Sequence, residues 1–377
     1  MSHPDRRMRL LPALALLTGC AHRGFDLHRA TADLGAQPTA DAAAARFVVL
    51  GDIGVWSGKG SGEGGAVTPD DLSPAFRAVA ARVHAACADA PCDFAVVAGD
   101  NLYEDGIQSE DDAAALRLMV AELGLPVWFV LGNHDWHPMR PALATARAEL
   151  DLLAASPDAH GEAHFWKMGA GPVVLWGLDS NLLVRFGHLA EDRWVDAFLR
   201  ELAEEPSDRW RIAMAHHTWF SDGQHGDAGV YLDADLKLWR GEAYATVLEE
   251  RVRPHADLYL SGHDHNLQFF DHGGVGVLVS GSGAKCNPRG TKQARFAEGR
   301  PAPAMTRFER GFAIVDATPE RLAVTFHALS EGAFFTATKA RGDDAWTLPD
   351  GPRVETGTRC DPRWKKGAPT EAAEPAG

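Results

Sequence analysis

Beyond residue 20 the 377-residue sequence lacks any apolar run of the ~20 residues that a membrane-spanning helix requires. The folded part is therefore expected to stand beside a membrane rather than in one. Positive charge is scarce: 37 Lys and Arg stand against 52 Asp and Glu, for a formal net charge of −15. Such a balance argues against non-specific binding to a phosphate backbone. Cysteine is sparse, with five residues, and none of the spacings is that of a zinc finger. The low hydrophobicity of disordered chains is missing too, since 45% of the residues are hydrophobic, enough for a large core. A phosphate-cradling loop is also absent. The glycine-rich residues 57–65 invite that reading, but the spacing before Lys59 is wrong and Gly60 stands where Ser or Thr is needed. A flexible rim loop is expected there instead.

What is present begins with a processing segment. Arg6, Arg7 and Arg9 precede the short apolar stretch 10–17 and then Leu17-Thr18-Gly19-Cys20. The stretch fits a secretory signal. Its ending resembles the lipobox of bacterial lipoproteins, which implies that Cys20 is a lipidated first residue. Residues 21–45 are Ala-rich without sustained periodicity and read as a tether. In an exported protein, Cys87, Cys92, Cys286 and Cys360 allow three pairings. Cys87 and Cys92, close in sequence at the end of a predicted helix, suit a local disulfide.

The chemistry lies at strand ends. The apolar run 94–98 stops at Gly99-Asp100-Asn101-Leu102-Tyr103, the pattern of a buried strand entering a loop. In α/β proteins, ligands collect beyond the carboxyl ends of strands. The same punctuation recurs. Residues 47–50 lead into Gly51-Asp52-Ile53-Gly54, and residues 127–131 into Gly132-Asn133-His134-Asp135. Residues 211–215 lead into His216-His217-Thr218-Trp219, with His225 soon after, and residues 257–261 into Gly262-His263-Asp264-His265. A further strand, 173–178, ends at Asp179, which reads as a loop anchor. Helices are predicted over 74–88, 111–123 and 191–204, the last with Trp194, Phe198 and Leu202 on one stripe. Any one of the 17 histidines is by itself an ordinary surface or core residue. Two of them at a spacing of two in a strand-like segment project to one side. Oxygen and imidazole groups from five strand ends at one sheet edge suit a two-metal site.

In this order the five segments resemble the motifs of the calcineurin-like metallophosphoesterases. Tyr103 narrows the resemblance to purple acid phosphatases. Residues 262–268, the His216-to-His225 spacing and Gly311-Phe312-Ala313-Ile314-Val315 resemble the small, tartrate-resistant type. The resemblance covers residues 46–341. It leaves 1–19 as a lipoprotein-type signal, 20–45 as the tether, and 342–377 as a tail lying over the surface or disordered. Departures are His217 and Thr218, where the family commonly has Tyr-Pro, and an unfamiliar loop over 58–69.

The resemblance implies a four-layer α/β/β/α sandwich, two mixed sheets flanked by helices. It also implies a dinuclear centre. An Fe3+ ion takes Asp52, Asp100, Tyr103 and His265; a divalent Fe2+, Zn2+ or Mn2+ takes Asp100, Asn133, His216 and His263. Two carboxylates and a phenolate against five positive charges leave about +2, or about +1 with a bridging hydroxide, a setting for a phosphate dianion. Attack on phosphorus by a metal-bound hydroxide follows from the same resemblance. His134 and His225 match family histidines that contact phosphate or protonate the leaving alkoxide. Asp135 and Asp264 are expected to orient their neighbours; His217 is left open between catalysis and packing. The implied protein is an acid phosphatase of the cell envelope acting on small phosphate monoesters. It touches the membrane through Cys20 alone and binds no nucleic-acid scaffold. Two alternatives stand beside it: a phosphodiesterase or nucleotide hydrolase on the same ions, and a non-catalytic surface-binding lipoprotein. The seven intact ligand positions count against the last.

Overall fold

The computed structural model describes residues 27–37, 39–136, 143–184, 193–206, 208–228, 241–289, 299–348 and 351–360. The expected signal segment and Cys20 lie outside the described residues.

Short runs of Val, Phe and Leu become strands that are buried on both faces. In residues 47–50, Phe47 and Val49 face one cluster of buried side chains while Val48 and Leu50 face another. That period of two is the pleat of a strand, and covering both faces removes the polar alternation that a half-exposed strand would show. The strands assemble into two sheets. The first runs in the order β1 (Thr31–Ala36), β6 (Phe165–Ala170), β7 (Val173–Leu178), β8 (Trp210–Ala215), β9 (Leu258–Ser261), β11 (Val275–Ser280), β10 (Leu267–His272), β12 (Pro303–Phe308) and β16 (Arg353–Thr358). The second runs β15 (Gly332–Ala340), β14 (Arg321–Ala328), β13 (Gly311–Ala317), β2 (Ala45–Leu50), β3 (Phe94–Val97), β4 (Val127–Phe129) and β5 (Ala159–His160). Each sheet mixes parallel and antiparallel pairs.

The sheets pack face to face through Phe47, Phe94, Met168, Ile212, Leu260 and their neighbours. Each fully buried side chain of this size contributes about 1.5–3 kcal/mol relative to exposure. Helices cover the outer faces. On the second sheet lie α1 (Pro74–Ala88) and α2 (Glu110–Leu123). Residues of α3 (Leu143–Ala154), α4 (Asn181–Val184), α5 (Arg193–Glu204) and α6 (Gly241–Val247) pack in the cluster outside the first. The layers are thus helix, sheet, sheet, helix, as the resemblance implies. Helix limits follow local chemistry. Ser73 caps α1 by accepting from Ala75 N–H, with Pro74 in the first turn, and Ser109 caps α2 by accepting from Asp112 N–H. On α5, Phe198 and Leu202 are buried as the stripe predicts; the Trp194 side chain lies outside the described residues.

Three segments differ from expectation. Within the expected tether, β1 pairs with β6, and Leu27 and Ala30 are buried. Within the expected tail, β16 pairs with β12, and Cys360 is disulfide-bonded to Cys286 across 74 residues. The rim loop is organised by the buried Asp71, which accepts from Ser61 N–H at 3.0 Å, Thr68 N–H at 2.8 Å and the Thr68 hydroxyl at 3.0 Å. The other pair is the local one, Cys87–Cys92, at the end of α1.

Candidate metal centre

Parallel pairing of β2, β3 and β4 makes their following loops leave the sheet side by side. In the facing sheet, parallel β8 and β9 bring His216 and the 262–266 turn to the same edge. Backbone bonds join the loops: Asp52 N–H donates to Gly99 O (2.9 Å), Tyr103 N–H to Gly54 O (2.9 Å) and Gly262 N–H to His216 O (3.1 Å).

The backbone is strained where three of the candidate side chains leave it. Asp52 (φ 59°), Asp100 (φ 54°) and His263 (φ 67°) lie in the left-handed region, and among the described non-glycine residues only Arg29 joins them. Such conformations cost about 1–3 kcal/mol each and persist where the surroundings over-determine them. Close approach explains two of the motif glycines. A Cβ on Gly132 would stand 2.2 Å from Asp100 Oδ1, and one on Gly262 would stand 2.6 Å from Asp52 Oδ2.

All seven predicted ligand positions meet in one connected cluster. The Tyr103 hydroxyl donates to Asp52 Oδ1 at 2.8 Å and lies 3.3 Å from His265 Nε2. That nitrogen is 3.2 Å from Asp52 Oδ1. One donor atom each of Asp52, Asp100 and His265 lie within 4.8 Å of one another, the geometry of a candidate cation site. On the other side, His216 Nε2 lies 3.0 Å from Asn133 Oδ1, 3.1 Å from His263 Nδ1 and 3.3 Å from Asp100 Oδ1. His216 Nδ1 donates to Ala98 O at 2.8 Å, which leaves Nε2 as the ring nitrogen that faces the cluster. Nε2 thus faces an amide oxygen, a carboxylate oxygen and a second imidazole nitrogen. Carboxylate, phenol, amide and imidazole donors converging in this way are a set that fits a metal.

Electrostatics divides the cluster. Burial, followed by the carboxylates of Asp100 and Asp52, pushes the Tyr103 phenol well above its ordinary pKa. For His265, burial lowers the pKa, but the hydrogen bond to Asp52 and the charge of that carboxylate outweigh it, and the net shift is upward. Burial and the neighbouring imidazoles hold His263 well below the usual histidine range. Burial opposes ionisation of Asp100, yet His216 and His134 pull its pKa down.

The two other predicted histidines flank the cluster. His134 donates its backbone N–H to Asp100 Oδ1 (3.0 Å), and its ring meets Tyr103 edge-on, with centroids 4.5 Å apart. The His225 ring lies 4.2 Å from that of His263, and burial lowers its pKa. Asp264 accepts from the N–H groups of His225 (2.9 Å) and Gly226 (3.1 Å) and so positions this loop. Arg300 bridges Asp222 (2.8 Å) and Asp227 (2.9 Å) in the same loop. Asp135 does comparable work beneath the other motifs, accepting from the N–H groups of Gly132 (2.6 Å), Asn101 (2.9 Å) and Leu102 (3.0 Å). Asp179 anchors its loop, as expected, by accepting from Trp136 Nε1 at 2.8 Å and pairing with His164 at 2.6 Å. His217 is buried behind His263, with its Nδ1 2.8 Å from Ser180 Oγ, a packing position.

Three neighbours escaped the sequence analysis. Glu149 of α3 is fully buried and accepts from Asn101 Nδ2 at 2.7 Å; burial pushes its pKa up to about 8. Lys285 holds its ammonium 3.2 Å from the centre of the Tyr103 ring. Asn287 places its Nδ2 2.7 Å from His265 Nδ1. The available signal for the last two was a sixth strand end punctuated by glycine, Gly281-Ser282-Gly283 after β11.

The calcineurin-like phosphoesterase profile matches residues 45–267, well over half of the chain. Among curated proteins, purple acid phosphatase 17 of Arabidopsis thaliana is 29% identical over 217 residues, covering 51% of this chain and 59% of that protein. Tartrate-resistant acid phosphatase type 5 of Homo sapiens is 26% identical over 267 residues, covering 64% of this chain and 78% of that protein. The chain thus spans less than two thirds of the plant relative's length. Among solved structures, the purple acid phosphatase PPD1 of yellow lupin superposes with a TM-score of 0.55 at 14% identity, covering 80% of this chain and 54% of that one, a likeness of fold. The matched region contains all five strand-end motifs, and the chain belongs to the calcineurin-like phosphoesterase family.

Proposed function

We propose that the protein is an exported acid phosphatase of the purple type, hydrolysing small phosphate monoesters. The observation that carries this reading is the convergence of Asp52, Asp100, Tyr103, Asn133, His216, His263 and His265 on one sheet edge. Asp52, Asp100, Tyr103 and His265 would hold Fe3+, for which a phenolate is a hard anionic donor. Asp100, Asn133, His216 and His263 would hold the divalent ion, Fe2+, Zn2+ or Mn2+. When bound, such ions lower the pKa of a coordinated water and neutralise charge on a phosphate.

The chain's own groups supply the remainder. Asp100 offers an oxygen to each half. Asp264 and Asp135 hold the loops so that His225 and His134 flank the place where a phosphate would sit. Either imidazolium can donate its proton to the departing alkoxide, a contribution typically of about 10²- to 10⁴-fold. Because burial lowers the His225 pKa, its charged form fills only on the acid side of the usual histidine range. A rate that needs that proton falls as pH rises through the lowered pKa, which is the behaviour of an acid phosphatase.

The test is metal analysis joined to a panel of aryl and alkyl phosphate monoesters and bis-esters. Monoesters should be the faster substrates. Faster bis-ester hydrolysis would move the assignment to a phosphodiesterase, and full metal loading without hydrolysis of either class would leave a binding lipoprotein. Two disulfides suit an oxidising compartment, and Leu17-Thr18-Gly19-Cys20 supports lipid anchoring. Cys20→Ser should release the protein from the membrane fraction or block its processing; normal processing with unchanged fractionation would defeat the anchor.

A further inference from the structure

Lys285 approaches the site from outside the seven converging residues. Its ammonium lies 3.2 Å from the centre of the Tyr103 ring, and its side chain is 26% exposed. Among the described residues it pairs with Glu104, whose Oε1 is 3.7 Å from Nζ. The backbone that carries Lys285 is fixed on both sides. Before it, Gly283 N–H donates to Gly51 O (3.0 Å), Ala284 N–H donates to Asp52 O (3.2 Å), and Arg310 Nε donates to Ala284 O (2.8 Å). After it come the Cys286–Cys360 disulfide and Asn287, whose N–H donates to His265 O at 3.0 Å. A long side chain leaving such a pinned backbone is placed over the ring by the fold.

We propose that Lys285 is a positioning residue of electronic rather than steric kind: it makes the Tyr103 oxygen a weaker donor to a bound trivalent ion than an ordinary phenolate. This rests on the reading of Tyr103 as a ligand. A cation over an aromatic face is attracted to its electrons, and more strongly once the ring carries phenolate charge. The Tyr103 oxygen lies between the ring and any ion it binds, so the ammonium acts more on the donor than on the ion. Lowering the donor level raises the energy needed to move an electron from phenolate to Fe3+. It also leaves the trivalent state less favoured, so that one electron from an added reductant converts Fe3+ to Fe2+ more readily. Groups outside the first layer tune metals in this way.

The test reads the visible phenolate-to-iron absorption band and the reduction midpoint of iron-loaded protein. Lys285→Met should move the band to longer wavelength and make the iron harder to reduce. Lys285→Arg, which keeps the charge, should stay near the wild type. Glu104→Gln, which removes the anion beside the ammonium, should shift the band the opposite way, to shorter wavelength. An unmoved band in Lys285→Met at equal iron content overturns the proposal, as does an equal shift in Lys285→Arg, which would point to packing. Should Lys285→Met fail to fold or to load iron, the Glu104→Gln protein decides, and no shift there overturns the proposal. A wild type with iron but no visible band overturns the ligand reading itself, a different outcome from a band that is present and unmoved.

Discussion

Around Asp52, Tyr103 and His265, a phenol and an imidazole hold protons against carboxylate oxygen. Around Asn133, His216 and His263, an amide and two imidazoles converge, with His216 Nε2 3.0 Å from Asn133 Oδ1 and 3.1 Å from His263 Nδ1. Both groups stand at the same sheet edge, a few ångströms apart, and are reached from neighbouring strands. The first is internally satisfied by hydrogen bonds, and a cation entering it must displace protons. The second has no acidic proton of its own to give up, and a cation entering it meets imidazole nitrogen and amide oxygen. The halves therefore differ in what binding demands of them, and the proposed ligand they share is Asp100, whose Oδ1 lies 3.3 Å from His216 Nε2 while accepting from His134 N–H at 3.0 Å.

The largest effect should come from breaking that shared group. Asp100→Asn keeps the shape and removes the charge, so both halves lose their common anion. Metal analysis should find both ions lost and hydrolysis at background. A variant that still fills one half completely would show the halves to be independent and Asp100 to belong to one alone.

Next in size are the flanking histidines, which belong to neither half. His134→Ala and His225→Ala should leave metal content nearly intact while lowering kcat by about 10²- to 10⁴-fold on alkyl phosphates. Aryl phosphates, whose leaving groups need less protonation, should lose less. Equal losses across leaving groups would remove the proton-donating role from both.

How much of this contrast was legible in the sequence depends on where each residue sits relative to a strand end. Asp52, Asp100, Asn133, His216 and His263 directly follow or nearly follow apolar runs, so a linear reading finds them. The start of α1 was legible because Ser73-Pro74 is a start signal. The two-sheet architecture was not readable from periodicity, because strands such as β2 are buried on both faces and show no alternation; the resemblance supplied it. β1 and β16 were missed for the opposite reason. Both are edge strands with largely exposed residues, held by pairing to β6 and β12 rather than by an apolar pattern. Lys285 and Asn287 touch the site across long sequence separations, which spacing rules do not register.

The smallest effect, and the most direct probe of the difference between the halves, is proton release on metal uptake. In the protein without ions, Tyr103 keeps its proton because its pKa is raised well above the ordinary phenol value, and His265 holds one to higher pH than an ordinary imidazole. A trivalent ion bound by both must displace the Tyr103 proton and, below the raised His265 pKa, a second one. Its apparent affinity therefore climbs as pH rises, by linkage between proton and metal binding. His263, with its pKa well below the usual range, has no proton to lose near neutrality. A divalent ion entering that half should show a flatter pH dependence. Calorimetry in buffers of different protonation enthalpy can count the protons, with Ga3+ as a redox-inert trivalent probe and Zn2+ added afterwards. Tyr103→Phe keeps the ring, removes the hydroxyl, and should reduce the proton count for Ga3+ by about one while leaving that for Zn2+ unchanged. Equal proton release by the two ions, or an unchanged Ga3+ count in Tyr103→Phe, would mean that the phenol does not bind the trivalent ion and that the two halves are not distinguished by their protons.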